Sequence, residues 1–142
     1  MLHGPNLNLL GRREPQVYGR ATLDEVNEAL RAVAGELGVE LEVFQSNGEG
    51  ELVDWIQVSA ERVSGYVVNA GAYTHTSVAI LDALVGVARP FVEVHVTNPQ
   101  AREPYRHRSL LAARAVGTVA GFGTESYLLG LRGLVAHLRA AG

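Results

Sequence analysis

Gly65–Asn69 reads GYVVN, Phe91–Val96 reads FVEVHV, and between them Thr76–Val87 reads TSVAILDALVGV. The outer two runs are short, β-branched and aromatic, which predicts buried strands. The middle run is longer and rich in Ala, Leu and Val, which predicts a helix. Strand, helix and strand of this kind form a crossover unit, and such crossovers are right-handed. The alternation continues on both sides. Upstream, Thr22 and Glu25 form a capping box (T-x-x-E) ahead of Leu23, Val26, Leu30, Val33, Ala34 and Leu37 at helical spacing. Gly38 follows as a helix stop. Val39–Gln45 (VELEVFQ) alternates like a half-covered strand, and Ser46-Asn47-Gly48 turns into a helix containing Leu52, Trp55 and Ile56. Downstream, Ala115–Ala120 (AVGTVA) is a further apolar run, and Ser126–Ala141 closes with a helix. The pattern predicts an α/β three-layer sandwich with a doubly wound parallel sheet.

The 142 residues suit one domain, 1–142. Apolar residues at 47% and charged residues at 19% are ordinary for a folded chain. The net charge of −3 argues against a general nucleic-acid binder. There is no Cys, which excludes disulfides, thiolate nucleophiles and Cys-ligated metals. All 12 basic residues are Arg. Lysine Schiff-base chemistry, a pyridoxal phosphate anchor and a Walker A lysine are therefore excluded. No apolar run reaches 18 residues and no signal-peptide pattern opens the chain, so the expectation is a cytoplasmic protein without a membrane anchor.

In open parallel sheets ligands bind beyond the carboxyl ends of the strands. Gly4-Pro5-Asn6, Ser46-Asn47, Asn69-Ala70-Gly71 and Thr97-Asn98-Pro99 fall at such ends. Each alone reads as a turn; four together predict a polar rim. Glu93 and His95 share one face of FVEVHV, an arrangement that suits an acid–base imidazole and equally a satisfied core histidine. The loop Gly11–Arg20 (GRREPQVYGR) has no regular period and could act as a lid presenting Arg12, Arg13 and Tyr18. A phenol ordinarily titrates near pH ~10. A close guanidinium favours its ionised form; an exposed loop with solvated arginines is the plain alternative. Asn69–Ser77 is a strand-to-helix turn carrying His75, and Thr74, Thr76 or Ser77 could cap the helix. The basic stretch Arg102–Arg108 reads as a charged surface. No short His spacing supports a metal site from His75, His95 and Glu93, and Gly121-Phe122-Gly123 is only a fragment of a dinucleotide fingerprint.

Taken together, these segments resemble the type II 3-dehydroquinate dehydratase family. The resemblance rests on Gly4–Gly11 (GPNLNLLG), Arg13-Glu14-Pro15 to Tyr18-Gly19 and Gln45-Ser46-Asn47. It continues through Glu49–Leu52, Asp54–Ile56, Asn69–Ser77 with Asp82-Ala83, and Glu93-Val94-His95. Ala101-Arg102-Glu103, Gly121–Gly123 and Tyr127-Leu128-Leu129 complete it. It implies a flavodoxin-like fold and a cofactor-free dehydration of 3-dehydroquinate in the shikimate or quinate pathway. It implies Tyr18 as base, His95 as general acid, Arg13 as the lid arginine, Asn6 as holder of a water at the enolate oxygen and Glu93 as the partner of His95. Asn69, His75, Val96, Thr97 and Arg106 match substrate contacts, and Asp82 a contact supplied across a subunit interface. Trimers gathered into a dodecamer are implied as well. The chain departs from the family at His3, at Gly48, at the short run before Gly4, and at His107–Ala112, where Leu110 and Ala112 replace a Tyr and a Ser. From the residues alone, a non-catalytic flavodoxin-like small-ligand module or a nucleic-acid protein using Arg102–Arg108 remain open readings.

Overall fold

The structure is a computed structural model that describes residues 1–142. The chain runs through β1 (Leu2–His3), a single turn α1 (Pro15–Tyr18), α2 (Leu23–Leu37), β2 (Phe44–Gln45) and α3 (Glu49–Ser59). It continues through β3 (Tyr66–Asn69), α4 (Val78–Gly86), β4 (Phe91–His95), β5 (Gly117–Ala120) and α5 (Glu125–Ala141). All pairings are parallel, in the order β2-β1-β3-β4-β5. That is the flavodoxin-like order, and the chain reverses direction across the sheet at β1/β3.

The pleat sorts the core into two layers. Val67, Val92 and Val94 face one way and pack with Leu30 and Val33 of α2 and Leu131 and Leu134 of α5. Tyr66, Val68 and Phe91 face the other way, against Leu52 and Ile56 of α3 and Ile80 and Leu84 of α4. Gly130 lets α5 sit directly on β4, because a Cβ there would lie 2.4 Å from Val94 Cγ1. By the same alternation Glu93 shares its face with Phe91, so a carboxylate points into a layer that is otherwise apolar.

The caps expected at α2 are present. Glu25 N–H donates to Thr22 Oγ1 at 3.2 Å, and Gly38 adopts φ 68°. Other elements differ from the sequence reading. The strand expected over Val39–Gln45 forms a ladder only at Phe44–Gln45, because its sole partner, β1, has two residues to pair with it. The loop Gly11–Arg20 holds one helical turn, started by Pro15 with its preset φ. The helix expected from Thr76 begins at Val78: a 3₁₀ turn fills Gly71–His75, and Ser77 Oγ takes the Ile80 N–H as cap. No helix is long and apolar enough to cross a membrane.

β1 carries a buried histidine. His3 is 0% exposed, and its Nε2 lies 2.8 Å from Asn27 Oδ1 on α2. An amide oxygen only accepts, so Nε2 holds the proton. The Nδ1 of His3 is buried without a partner. Burial pulls this imidazole down to about 4 from 6.5, although the Asn27 hydrogen bond opposes the shift. His3 is therefore neutral when folded and binds a proton more readily when unfolded. Its contribution is complete above pH 6.5 and is lost as the pH falls toward 4. The expected cost between pH 7 and pH 5 is about 2 kcal/mol. Urea denaturation across that range should show His3→Asn losing correspondingly less stability than the unsubstituted chain; parallel curves would remove His3 as the source.

Candidate active site

The rim at the carboxyl edge is built by backbone contact before any side chain enters. Gly4 N–H donates to Asn69 O at 2.7 Å, which draws the loop after β1 onto the loop after β3. Only glycine fits there, since a Cβ on Gly4 would lie 2.3 Å from Ala70 O. Asn6 then takes the left-handed conformation, φ 68°, a region Asn tolerates better than most residues. Its N–H donates to Asn47 Oδ1 at 3.0 Å, and Gln45 Nε2 donates to the same oxygen at 3.2 Å and to Gly4 O at 3.1 Å. Tyr73 Oη donates to Asn47 O at 2.7 Å. The polar strand ends are thus tied to one another.

They surround a cleft of about 260 Å³ lined by Asn6, Arg13, Tyr18, Asn69, His75, His95, Val96, Thr97, Arg102 and Arg106, with Pro5 and Pro99 among the remaining walls. Nine of the eleven residues singled out from sequence meet in this cleft. Glu93 stands behind it, 1% exposed, and His95 Nε2 donates to its Oε1 at 3.0 Å. A carboxylate only accepts, so the Glu93 contact takes the Nε2 proton of His95 and leaves Nδ1 as the other exchangeable position. Asp82 lies on α4 and is absent from the cleft lining of its own chain.

Tyr18 ends the α1 turn and meets two cations. Arg13 lies over its ring, 4.8 Å from the centroid, and also approaches Glu14 at 3.6 Å. Arg102 Nη1 donates to the Tyr18 oxygen at 3.1 Å and to Thr97 Oγ1 at 3.3 Å. The guanidinium at the phenol oxygen is therefore Arg102, a residue the sequence reading left in a charged surface. Its place in Ala101-Arg102-Glu103, just beyond the Thr97-Asn98-Pro99 strand end, was the available signal. His107 Nε2 donates to Arg102 O at 2.8 Å and Gln100 Nε2 to His107 O at 2.9 Å, which folds this segment back over the strand end. Arg106 Nε donates to Glu103 Oε2 at 2.5 Å, and that contact holds the Glu103 carboxyl below its ordinary range. A ligand carboxylate reaching Arg106 meets a guanidinium already engaged on one side.

The remaining polar groups are fixed from behind. His75 Nδ1 donates to Arg108 O at 2.7 Å. Asn69 Oδ1 accepts from Gly71 N–H at 3.1 Å, and Asn69 Nδ2 donates to Tyr127 Oη at 2.8 Å. Tyr127 is fully buried, and burial pushes its phenol well above the usual range, so it stays neutral. Neither Tyr127 nor Ser109, whose hydroxyl contacts Glu93, was singled out from sequence for a role, because both act from beneath the site.

Comparison with known proteins agrees over nearly the whole chain. A family model described as dehydroquinase class II matches residues 1–135. A 3-dehydroquinate dehydratase of Parasynechococcus marenigrum (strain WH8102) is 56% identical over 142 residues, 100% of this chain and 97% of that protein. One from Prochlorococcus marinus (strain NATL1A) is 53% identical over 139 residues, 98% of this chain and 96% of that protein. Among solved structures, the type II dehydroquinase of Propionibacterium acnes superposes with a TM-score of 0.90 at 43% identity, covering 95% of this chain and 93% of that one.

Removing the acceptor behind Asn69 should leave a buried amide unpaired. Tyr127→Phe is expected to lower stability by about 1–3 kcal/mol, read from urea midpoints at unchanged slope. No change in the midpoint would mean that this hydrogen bond contributes nothing.

Proposed function

The chain belongs to the class II dehydroquinase family and is a 3-dehydroquinate dehydratase, and we propose that the cleft described above carries the reaction with Tyr18 as base and His95 as acid. The observation that carries this reading is the Tyr18 oxygen 3.1 Å from the Arg102 guanidinium, with Arg13 over the same ring. Positive charge placed at a phenol oxygen favours phenolate, the form that can abstract a proton. The imine route to the same product needs a lysine, and the chain has none.

The substrate is a β-hydroxy ketone bearing a carboxylate. The Tyr18 phenolate removes a proton alpha to the ketone, and the electron pair moves onto the ketone oxygen as an enolate. A water held by Asn6 stabilises that oxygen. Preorganised donors at such an oxygen typically contribute several kcal/mol, of order ~3 for one donor. The enolate then collapses to the conjugated enone and expels the β-hydroxyl. His95 gives this hydroxyl its proton, so water leaves. Glu93, buried and bonded to Nε2, supports the charged imidazolium that must form before that step. Over one turnover Tyr18 gains a proton, His95 loses one, and the substrate loses water.

Asn69, His75, the Val96 backbone, Thr97 and Arg106 receive the substrate carboxylate and ring hydroxyls. The segment 11–20 closes as a lid: Arg12 and Arg13 N–H both donate to Leu9 O, at 3.0 and 2.9 Å, which hinges it beside Asn6. Asp82, lying outside its own cleft, reaches the cleft of another subunit, in trimers gathered into a dodecamer. The single chain 1–142 acts as one cytoplasmic catalytic domain.

Incubation with 3-dehydroquinate should generate the ultraviolet absorbance of the enone. Tyr18→Phe and His95→Ala are each expected to lower kcat by about 10²–10⁴-fold, with circular dichroism unchanged. Arg102→Met should lower it by about 10²-fold. Full turnover in Tyr18→Phe would reject the phenolate, and full turnover in Arg102→Met would reject its electrostatic support. Analytical ultracentrifugation checks the assembly; a monomer active at full rate would exclude a role for Asp82 across an interface.

A further inference from the structure

We propose that Ser109 is a positioning residue for the acid step, acting through Glu93 to hold His95. The inference rests on the reading of His95 as the general acid. Ser109 Oγ donates to Glu93 Oε1 at 2.5 Å, the same oxygen that accepts from His95 Nε2. Glu93 is 1% exposed, so these donors rather than bulk water are the partners of its carboxyl group. A short hydroxyl–carboxylate bond of this kind is charge-assisted and directional. It stops the carboxylate from rotating away from the imidazole.

Ser109 is itself held in place. Its single proton goes to Glu93, and its lone pairs accept from Leu111 N–H at 3.1 Å and Ala112 N–H at 3.0 Å. Leu111 is 0% exposed and packs in the α3/α4 layer, which anchors the turn. The preceding residues brace the other histidine of the cleft: Arg108 O accepts from His75 Nδ1, and Leu110 N–H donates to Thr74 O at 2.9 Å. Segment 108–112 therefore braces both imidazoles from outside the cleft lining. The side chains of Leu110 and Ala112 take no part in these bonds, which both residues make through backbone N–H.

Enolate formation and hydroxyl loss can be measured separately. A poorly held acid slows elimination but not proton abstraction, so the enolate returns to substrate and exchanges its alpha proton with deuterated solvent. Ser109→Ala is expected to lower kcat about tenfold while KM changes by less than about twofold, and to raise the ratio of exchange to elimination about tenfold. Ser109→Thr keeps the hydroxyl and should restore both. Ser109→Cys keeps the shape of the side chain but donates only weakly, so it should raise the ratio as well, and it serves if Ser109→Ala fails to fold. A ratio in Ser109→Ala and Ser109→Cys equal to that of the unsubstituted enzyme would overturn the proposal, as would equal impairment in Ser109→Ala and Ser109→Thr. His95→Ala separates the two levels. A raised ratio there with none in the Ser109 variants rejects Ser109 alone, whereas no rise in His95→Ala rejects the acid assignment and this inference with it.

Discussion

Because all five strands run in the same direction, their carboxyl ends share one edge, and the segments leaving that edge must crowd together before the chain returns through its helices. The crowding is closest where β1 and β3 lie side by side. There Gly4 packs onto Ala70 with no room for a side chain, and its N–H bonds to Asn69 O. Asn6, Asn69, His75 and Thr97 are brought to one cleft by this backbone geometry. A parallel sheet buried on both faces also removes water from its interior, so any charge on a central strand needs a protein partner.

The two electrostatic arrangements of the site answer that requirement in opposite ways. Glu93 is an interior carboxyl group, and its partners are one imidazole and one hydroxyl, both bonded to the same oxygen. Tyr18 stands at the rim, where two guanidinium groups approach it, one from the face of the ring and one at the oxygen. Arginine suits both positions. Its planar group stacks on an aromatic face and can also donate in the plane, and it stays charged in a partly desolvated cleft. A chain without lysine has no other permanent cation to place there. His95 and Tyr18 thus have separate polar neighbours, Glu93 for the one and Arg102 with Arg13 for the other.

Much of this was readable along the chain wherever the physics is local. The α2 capping box, its Gly38 stop and the alternation in GYVVN and FVEVHV are properties of a few adjacent residues, and the structure places elements there. That Glu93 and His95 share a face follows from period-two spacing alone. The structure departs from the local pattern where a partner strand or a competing turn decides the outcome. VELEVFQ alternates correctly but has only Leu2 and His3 beside it to pair with. The helix expected from Thr76 starts at Val78 because the 3₁₀ turn through His75 intervenes, and Ser77, one of the three caps the sequence offers, takes the capping role.

Composition, periodicity and turn chemistry are short-range quantities, which is why the layer architecture, the polar rim and the exclusion of lysine chemistry could be had from residue order. The contact between Arg102 and Tyr18 joins positions 84 apart, and that between Ser109 and Glu93 joins a loop to a buried strand. Arg102 lies closest in sequence to the Thr97-Asn98-Pro99 strand end, but that position alone does not bring it to Tyr18. Folding selects one guanidinium for the phenol oxygen because the return of segment 99–107 over the end of β4 fixes its distance, and distance is what electrostatic energy depends on.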